Sequence, residues 1–244
     1  MPADVPPPVL PIPPGAPEPV SPPLQPVRIW DLPTRLFHAL LAMAVVALVV
    51  TGNVGGDALA WHMGLGCAVG ALLAFRLVWG LVGGRWSRFS HILWAPTATW
   101  RYLRGRPAAG ERFDIGHSPL GSLSVLAMLL ALAAQVATGL VADDEIFTTG
   151  PLYRFVSGAT SSLATSWHTG WGKAVVIALV VLHLGAIAWY RLGRRQNLVG
   201  PMLHGDKPLP PGTPASQDGV AQRGLALVLA AACAAGAWAV WRLG

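Results

Sequence analysis

Long apolar runs alternate with short polar segments along this chain, and five of the runs are long enough to cross a lipid bilayer. A membrane-spanning helix needs about 20 mainly apolar residues. The runs lie at residues 35–54, 59–82, 120–142, 167–190 and 225–241. Aromatic side chains stand at several of their ends, as expected of an interfacial belt. The pattern predicts an all-α integral membrane protein with five transmembrane helices.

The composition agrees with a lipid environment. Of the 244 residues, 53% are apolar and only 11% are charged, whereas soluble domains carry about 25% charged residues. The net charge of +6 does not form one basic patch, because the arginines stand in short clusters between the apolar runs. Such clusters set membrane topology. We therefore expect membrane lipid, and no nucleic acid, as a partner.

The connecting segments differ in charge, and this difference predicts the orientation. Segment 83–119 contains six arginines, and segment 191–223 contains Arg, Lys and His side chains. The segment after the third run instead carries Asp143, Asp144 and Glu145. By the positive-inside rule, the N-terminus and both basic segments are cytoplasmic and the C-terminus lies outside. The chain is therefore expected to be a multi-pass membrane protein.

Three regions follow from these patterns. Residues 1–27 contain twelve prolines and no Lys or Arg, which predicts a disordered tail and not a signal peptide. Residues 28–207 hold the first four spans, and residues 208–244 form a linker and the fifth span. Residues 97–105 predict a short interfacial helix. We find no internal repeat of fixed period.

Four of the seven histidines lie within the apolar runs, where ionisable side chains are costly and usually functional. His38 and His183 are near the cytoplasmic level, and His62 and His168 are near the outer level. His168 and His183 are fifteen residues apart on one helix. They are therefore separated by about 22 Å along its axis and roughly 60° around it. We call His62 and His168 the outer pair, and His38 and His183 the inner pair.

Two imidazoles at each of two levels suit two planar cofactors stacked across the membrane. A haem with two axial imidazoles takes one histidine from each of two facing helices. A zinc or copper site is an alternative, but it favours three or four ligands at one level. Interfacial histidines without a ligand are the other alternative. The chain has no C-x-x-C-H segment, so covalent c-type haem attachment is excluded.

Two arginines lie near the level of the inner pair. Arg76 follows His62 by fourteen residues, and Arg35 precedes His38 by three. A guanidinium group there suits a haem propionate, because it binds carboxylates through two parallel hydrogen bonds. The alternative is that both side chains extend to the membrane surface.

Several segments resemble one known family. They read "WDLPTRLFHALLA", "HMGLGCAVGALLAFRLVWG", "SRFSHIL", "GHSPLGSLSVLAMLLALAAQVATGL" and "LHLGAIAWYRLGRRQNLV". These are similar to the bacterial cytochrome b561 family, and in particular to the branch that includes the b-type cytochrome subunit of nickel–iron hydrogenases. The resemblance covers residues 27–207. Ser118 departs from it, because the family has asparagine there.

The resemblance implies a four-helix transmembrane bundle that binds two b-type haems, here followed by a fifth C-terminal transmembrane helix. The family's ligand pattern is one histidine in the first helix, one in the second and two in the fourth. These positions correspond to His38, His62, His168 and His183, the four histidines that the depth comparison also selects.

The resemblance also implies a location, the bacterial inner membrane, and a function. We expect an electron-transfer subunit of a respiratory oxidoreductase, which moves electrons between the quinone pool and a redox partner such as a periplasmic c-type cytochrome or a hydrogenase. The alternatives are a stand-alone cytochrome b561 that oxidises quinol or superoxide, and a non-redox membrane scaffold. His117, in "GHSPLG", predicts a quinone site near the inner pair, since quinone chemistry needs a proton donor or acceptor. Its alternative role is a helix cap.

Overall fold

The computed structural model describes residues 22–146 and 148–244. Within them, five helical segments are long and apolar enough to cross a membrane. The helices are α1 (Leu32–Val54), α2 (Ala58–Val82), α3 (Pro96–Leu103), α4 (Pro119–Gly139), α5 (Gly158–Trp167), α6 (Lys173–Leu192), α7 (Val199–His204) and α8 (Val220–Trp241). The predicted all-helical membrane fold with a fifth C-terminal span is confirmed. Large apolar side chains such as Leu130 and Val46 are exposed on the spans, as lipid-facing surfaces require.

Local capping determines where these spans begin and end. The Asp31 carboxylate accepts a hydrogen bond from the N–H of Thr34 and caps α1. Gly55 ends that helix with a φ of 70°, which is a left-handed value that glycine adopts without strain. Ser118 caps α4 by accepting from the N–H of Gly121 at 3.2 Å. Side-chain caps of this kind satisfy donors that the first helical turn leaves free.

The fourth span differs from the continuous helix predicted at 167–190. It consists of α5, a π-helical turn over His168–Gly172 and α6. Gly170 is non-helical within the turn, with φ −103° and ψ −107°. Gly172 lies so close to Gln135 and Trp167 that a side chain there would collide with both. The chain therefore makes its irregular turn at the position of a predicted site histidine.

The spans pack in two groups that share α2. Phe37, Phe75, Trp79 and Ala226 form a buried cluster between α1, α2 and α8. On its other side α2 packs against α4, and α4 packs against the fourth span. The fifth span, α8, therefore lies beside α1 and α2 and away from α6. The paired histidines lie on α1, α2 and the fourth span, and α4 packs against both α2 and the fourth span.

A two-stranded antiparallel sheet joins the segment before α1 to the segment before α8. Its strands are β1 (Gln25–Arg28) and β2 (Asp206–Leu209). Arg28 links the two segments through its Nε, 2.6 Å from Asp206, and its Nη1, 2.6 Å from Asp218. Because the two strands are far apart in the sequence, no local pattern of residues marks their pairing, and the sheet could not be predicted.

The sheet corrects two predicted boundaries. Residues 25–27, assigned to the disordered tail 1–27, belong to β1, whereas residues 1–21 lie outside the described residues. The predicted linker after residue 207 is also docked on the protein. Ser216 donates from its hydroxyl to the carbonyl of Ile29 at 2.7 Å. Trp86 donates from its indole to the carbonyl of Pro214 at 2.8 Å.

The predicted interfacial segment 97–105 corresponds to α3. Ala98 is buried against the protein, whereas Trp100 and Leu103 are more than half exposed. The apolar side chains of this helix therefore face away from the bundle. That orientation agrees with a helix lying at the membrane surface.

Candidate functional site

The outer pair of histidines faces one another across the bundle interior. His62 lies in the first turns of α2, and His168 begins the π-helical turn of the fourth span. Their ring centroids are 5.9 Å apart, with the ring planes perpendicular. Both side chains line a cavity of about 300 Å³. The two residues are far apart in sequence, and they meet because successive spans alternate in direction, so that α2 and the fourth span both run inward from the outer level.

The inner pair is arranged in a similar way at the opposite end of the bundle. His38 is near the start of α1, and His183 is in the second half of α6. Their ring centroids are 6.4 Å apart, and the ring planes are tilted by 53°. The structure thus brings together the same-level pairs that helix depth predicts.

Both separations suit two imidazoles on opposite sides of one metal. When two imidazole nitrogens bind one metal from opposite sides with bonds of about 2 Å, the ring centroids lie roughly 6 Å apart. In the outer pair, Nδ1 of His62 is 3.0 Å from the carbonyl of Leu48, and Nδ1 of His168 is 2.9 Å from the carbonyl of Gln135. A carbonyl only accepts, so each Nδ1 carries the proton and each Nε2 keeps its lone pair for a metal. The chemistry of this donor set fits a bis-imidazole haem.

The zinc or copper alternative finds no support in the described part of the chain. Residues 22–146 and 148–244 contain no group of three or more His, Cys, Asp or Glu side chains that could hold a metal ion. Zinc sites usually need at least three protein ligands. Two ligands at each level are enough only for a metal that a cofactor already holds in its plane.

Arg76 is buried within α2 and does not extend to the membrane surface. Only 4% of the residue is exposed, and its guanidinium carbon lies 4.9 Å from the ring centroid of Phe89. Its Nη1 is buried and has no hydrogen-bond partner among the described residues. The surface-extending alternative is therefore wrong for Arg76. A buried cation with an unpaired donor suits an anionic group of a ligand.

Arg35 is placed differently. Its Nη1 donates to the backbone carbonyl of Leu203 at 2.7 Å, within the short helix α7. Its Nε is buried without a partner in the described structure. Arg35 therefore joins α1 to the segment before β2, and only part of its guanidinium group remains available for a ligand.

His117 does not cap α4, because Ser118 does so. The imidazole lies beside the indole of Trp30, with centroids 4.6 Å apart. Its Nδ1 is sealed from solvent and lacks a partner among the described residues. Burial, with a contribution from the positive charge of Arg76, lowers the pKa of His117 to about 4. The ring is therefore neutral near pH 7, and no described residue satisfies the hydrogen-bonding capacity of its Nδ1.

Asp31, which is fully buried, was not predicted from the sequence as part of the site. Its carboxylate accepts hydrogen bonds from the indole of Trp79 at 3.0 Å and from the hydroxyl of Ser87. Asp31 thereby fastens the start of α1, and with it His38, to α2. An aspartate directly before a proline-containing first turn is a capping signal, but the sequence does not show its long-range partners.

Comparisons with known proteins found a matching family model and two matching relatives. A family model described as Prokaryotic cytochrome b561 matches residues 29–205. The chain is 24% identical over 192 residues to the probable Ni/Fe-hydrogenase 1 B-type cytochrome subunit of Escherichia coli K12. That alignment covers 64% of this chain and 80% of the relative, and the protein of the same name from Escherichia coli O157:H7 gives the same values. No solved structure matches the chain significantly. The family match covers most of the chain and all four paired histidines, and the chain therefore belongs to the prokaryotic cytochrome b561 family.

Proposed function

We propose that this membrane b-type cytochrome carries two haem b groups and moves electrons between the quinone pool and a redox partner. His62 and His168 would hold one haem, and His38 and His183 the other. The observation that carries this proposal is the presence of two cross-helix imidazole pairs, with centroids 5.9 Å and 6.4 Å apart. Each haem supplies a reversible one-electron couple, and the chain holds it, orients its ligands and keeps water away.

Arg76 is the proposed partner of a haem propionate at the inner level. Its buried Nη1 has no acceptor within the described chain, and a carboxylate would satisfy it with a charge-assisted hydrogen bond. Arg35 is a second propionate donor through its unpaired Nε. In both roles the arginines bind and orient the cofactor and do not take part in the electron transfer.

The proposed quinone site lies at His117. It lies directly before α4, beside Trp30, and with the proposed orientation it would be at the cytoplasmic edge of the bundle. Its unpartnered Nδ1 offers a hydrogen bond to a quinone headgroup, and the indole offers a flat apolar contact. Ser118 takes the place of the family's asparagine and is occupied in capping α4.

The redox partner is proposed from the relatives. The two Escherichia coli proteins are named as hydrogenase cytochrome subunits, and a hydrogenase or a periplasmic c-type cytochrome would suit this chain. We propose that the protein lies in the bacterial inner membrane with its N-terminus in the cytoplasm. The outer pair would then face the partner.

Haem content and reduction by quinol test this function. The full chain, purified in detergent, is expected to contain two haem b per polypeptide by the pyridine haemochrome assay. Addition of a reduced quinone analogue should produce the reduced-minus-oxidised spectrum of a b-type cytochrome. A preparation that folds with haem in the growth medium but contains none would refute the proposal. Co-purification of a dehydrogenase or c-type cytochrome would separate a subunit from a stand-alone enzyme.

A further inference from the structure

A six-residue pattern, Ala-x-Val-x-Thr-Gly, occurs twice in the spans. It reads "ALVVTG" at residues 47–52 in α1 and "AQVATG" at residues 134–139 in α4. Each copy lies in the last turns of its helix. Each is followed by a connection to the helical segment that carries one histidine of the outer pair.

The first copy holds the ring of His62. Nδ1 of His62 lies 3.0 Å from the carbonyl oxygen of Leu48 and 3.3 Å from the hydroxyl oxygen of Thr51. The Thr51 hydroxyl donates to the carbonyl of Ala47 at 2.7 Å. It is therefore oriented with a lone pair available to the imidazole N–H.

The second copy holds the ring of His168 through the corresponding atoms. Nδ1 of His168 lies 2.9 Å from the carbonyl oxygen of Gln135 and 3.5 Å from the hydroxyl oxygen of Thr138. The Thr138 hydroxyl donates to the carbonyl of Ala134 at 2.7 Å. In addition, the Gln135 side chain donates from Nε2 to the carbonyl of His168 at 2.6 Å.

The glycine of each copy leaves room for the imidazole to reach the backbone carbonyl. In an α-helix, the residue four positions on lies beside a given carbonyl. A Cβ at Gly52 would stand 2.9 Å from Cε1 of His62, and one at Gly139 would stand 2.8 Å from Cε1 of His168. These distances are below van der Waals contact, so any other residue would push the imidazole away from its acceptor.

The inner pair lacks this arrangement. Neither His38 nor His183 makes a hydrogen bond to a protein group within residues 22–146 and 148–244. A hydrogen bond from the second ring nitrogen fixes the orientation of a ligating histidine and makes it a stronger donor. The two levels therefore differ in how their imidazoles are held.

We propose that the two Ala-x-Val-x-Thr-Gly segments are paired imidazole cradles, in which Thr51, Gly52, Thr138 and Gly139 are positioning residues for the outer pair. This rests on the proposed haem ligation. The cradles direct both Nε2 atoms towards the shared metal position and strengthen their donation to it. We expect the outer haem to be more tightly held and to have a lower midpoint potential than it would have without them.

Glycine variants give the sharper test. Gly52→Ala and Gly139→Ala, made singly in the full chain, should reduce retention of the outer haem by about 10- to 100-fold, the usual loss when an outer-shell partner of a metal ligand is removed. The inner haem, recorded in the same sample, should be retained and shows that the bundle is folded. Gly236→Ala is the matched control, because an added Cβ there meets nothing within 4 Å.

Threonine variants test the hydrogen bond without adding bulk. Thr51→Val and Thr138→Val should shift the outer haem to a higher midpoint potential and alter its low-spin electron paramagnetic resonance signal. Thr51→Ser and Thr138→Ser should restore both. Thr99→Val is the control, since Thr99 makes the same type of bond to the carbonyl four residues back but lies in α3.

The outcomes separate the cradle from the haem proposal. If Gly52→Ala and Gly139→Ala behave like Gly236→Ala, or if they alter the inner haem instead, the cradle is refuted while the haem ligation stands. If His62→Ala and His168→Ala leave both haems in place, the ligation itself fails. If serine does not restore what valine removes, the hydroxyl has no positioning role.

Discussion

Trp79 donates its indole N–H to the buried carboxylate of Asp31 at 3.0 Å and thereby joins α2 to the start of α1. The same carboxylate accepts from the Ser87 hydroxyl and caps α1 through the N–H of Thr34. Asp31→Ala would leave three donors without this acceptor in a site closed to water. Each orphaned donor costs roughly 1–3 kcal/mol, so we expect a loss of about 3 kcal/mol or more, measured by unfolding in mixed detergent micelles.

Asp57 provides the control for this prediction. It precedes α2 as Asp31 precedes α1, but it is exposed and its side chain makes no capping hydrogen bond. Asp57→Ala should change the unfolding midpoint little. Equal effects of the two substitutions would contradict the special role of Asp31.

The histidine pairs predict which substitutions act on the same haem. His62→Ala and His168→Ala should each remove the same spectral component, and the double variant should lose no more than either single variant. His38→Ala and His183→Ala should do the same for the other component. The physical reason is that both ligands of one haem must lie at metal-bond range, and the ring distances join only these partners. Difference spectra of the purified variants measure the effect.

The outcome that contradicts this pairing is specific. If His62→Ala and His183→Ala abolish one common component, the pairs are assigned wrongly. Retention of the inner component in the outer-pair variants serves as the control for folding, and the reverse holds for the inner-pair variants.

Helix spacing and depth were enough to predict the pairs because helical rise sets the depth of each histidine, and the irregular turn of the fourth span covers only His168–Gly172. The fifteen-residue separation of His168 and His183 sets their distance along the fourth span. Because successive spans alternate in direction, His62 lies at the level of His168, and His38 lies at the level of His183. The five spans are local properties of apolar length, so they could be predicted from the sequence. The four-helix bundle was implied by the family resemblance.

The parts that could not be predicted depend on contacts between distant segments. The π-helical turn at His168 includes the non-helical Gly170 and brings Gly172 close to Gln135 of α4. Apolar periodicity does not reveal such an approach. The sheet at Arg28 pairs residues from opposite ends of the chain. The short repeat that contains Thr51 could be interpreted only once the structure showed the ring of His62 packed against it.

The distribution of charge predicts a cytoplasmic N-terminus and a C-terminus outside. The segment between α2 and α4 contains six arginines, whereas the segment after α4 contains the acidic residues Asp143 and Glu145. Basic segments stay cytoplasmic. With five spans, a periplasmic reporter enzyme fused after Gly244 should be active. The matched fusion after Leu192, before α8, should be active only with a cytoplasmic reporter. The opposite pattern would reverse the orientation.

Asp218 predicts a pH dependence of stability. Burial by itself would raise the pKa of the Asp218 carboxyl, but hydrogen bonds from Arg223, the N–H of Leu32 and Arg28 lower it below its usual value. The carboxylate therefore stabilises the fold above the unfolded pKa of about 3.9, and this contribution is lost as the pH falls through the lower folded pKa. Asp218→Asn should cost about 2 kcal/mol at neutral pH and should converge with the wild type in acid.

Asp206→Asn tests whether burial is the reason. Asp206 binds the same Arg28 but its side chain is 39% exposed, against 7% for Asp218. An exposed ion pair contributes about 1 kcal/mol or less, so this variant should unfold close to the wild type at pH 7. An equal loss in both variants would show that the contact with Arg28, and not the burial of the carboxylate, determines the loss of stability.

The last prediction concerns the proposed quinone site at His117. The imidazole has a sealed Nδ1 without a protein partner and an indole neighbour in Trp30, whereas a merely structural histidine in this position would be expected to satisfy its nitrogen within the protein. His117→Ala should slow haem reduction by a quinol analogue by about 100-fold or more, the loss typical for removal of a proton-transferring group. The haem spectrum and reduction by dithionite should stay unchanged, because His117 belongs to neither histidine pair. His204→Ala is the control, since His204 is an exposed histidine in α7 on the same predicted side. Stopped-flow absorbance measures both variants, and equal quinol rates with intact spectra would remove the site from His117 and leave the two haem pairs untouched.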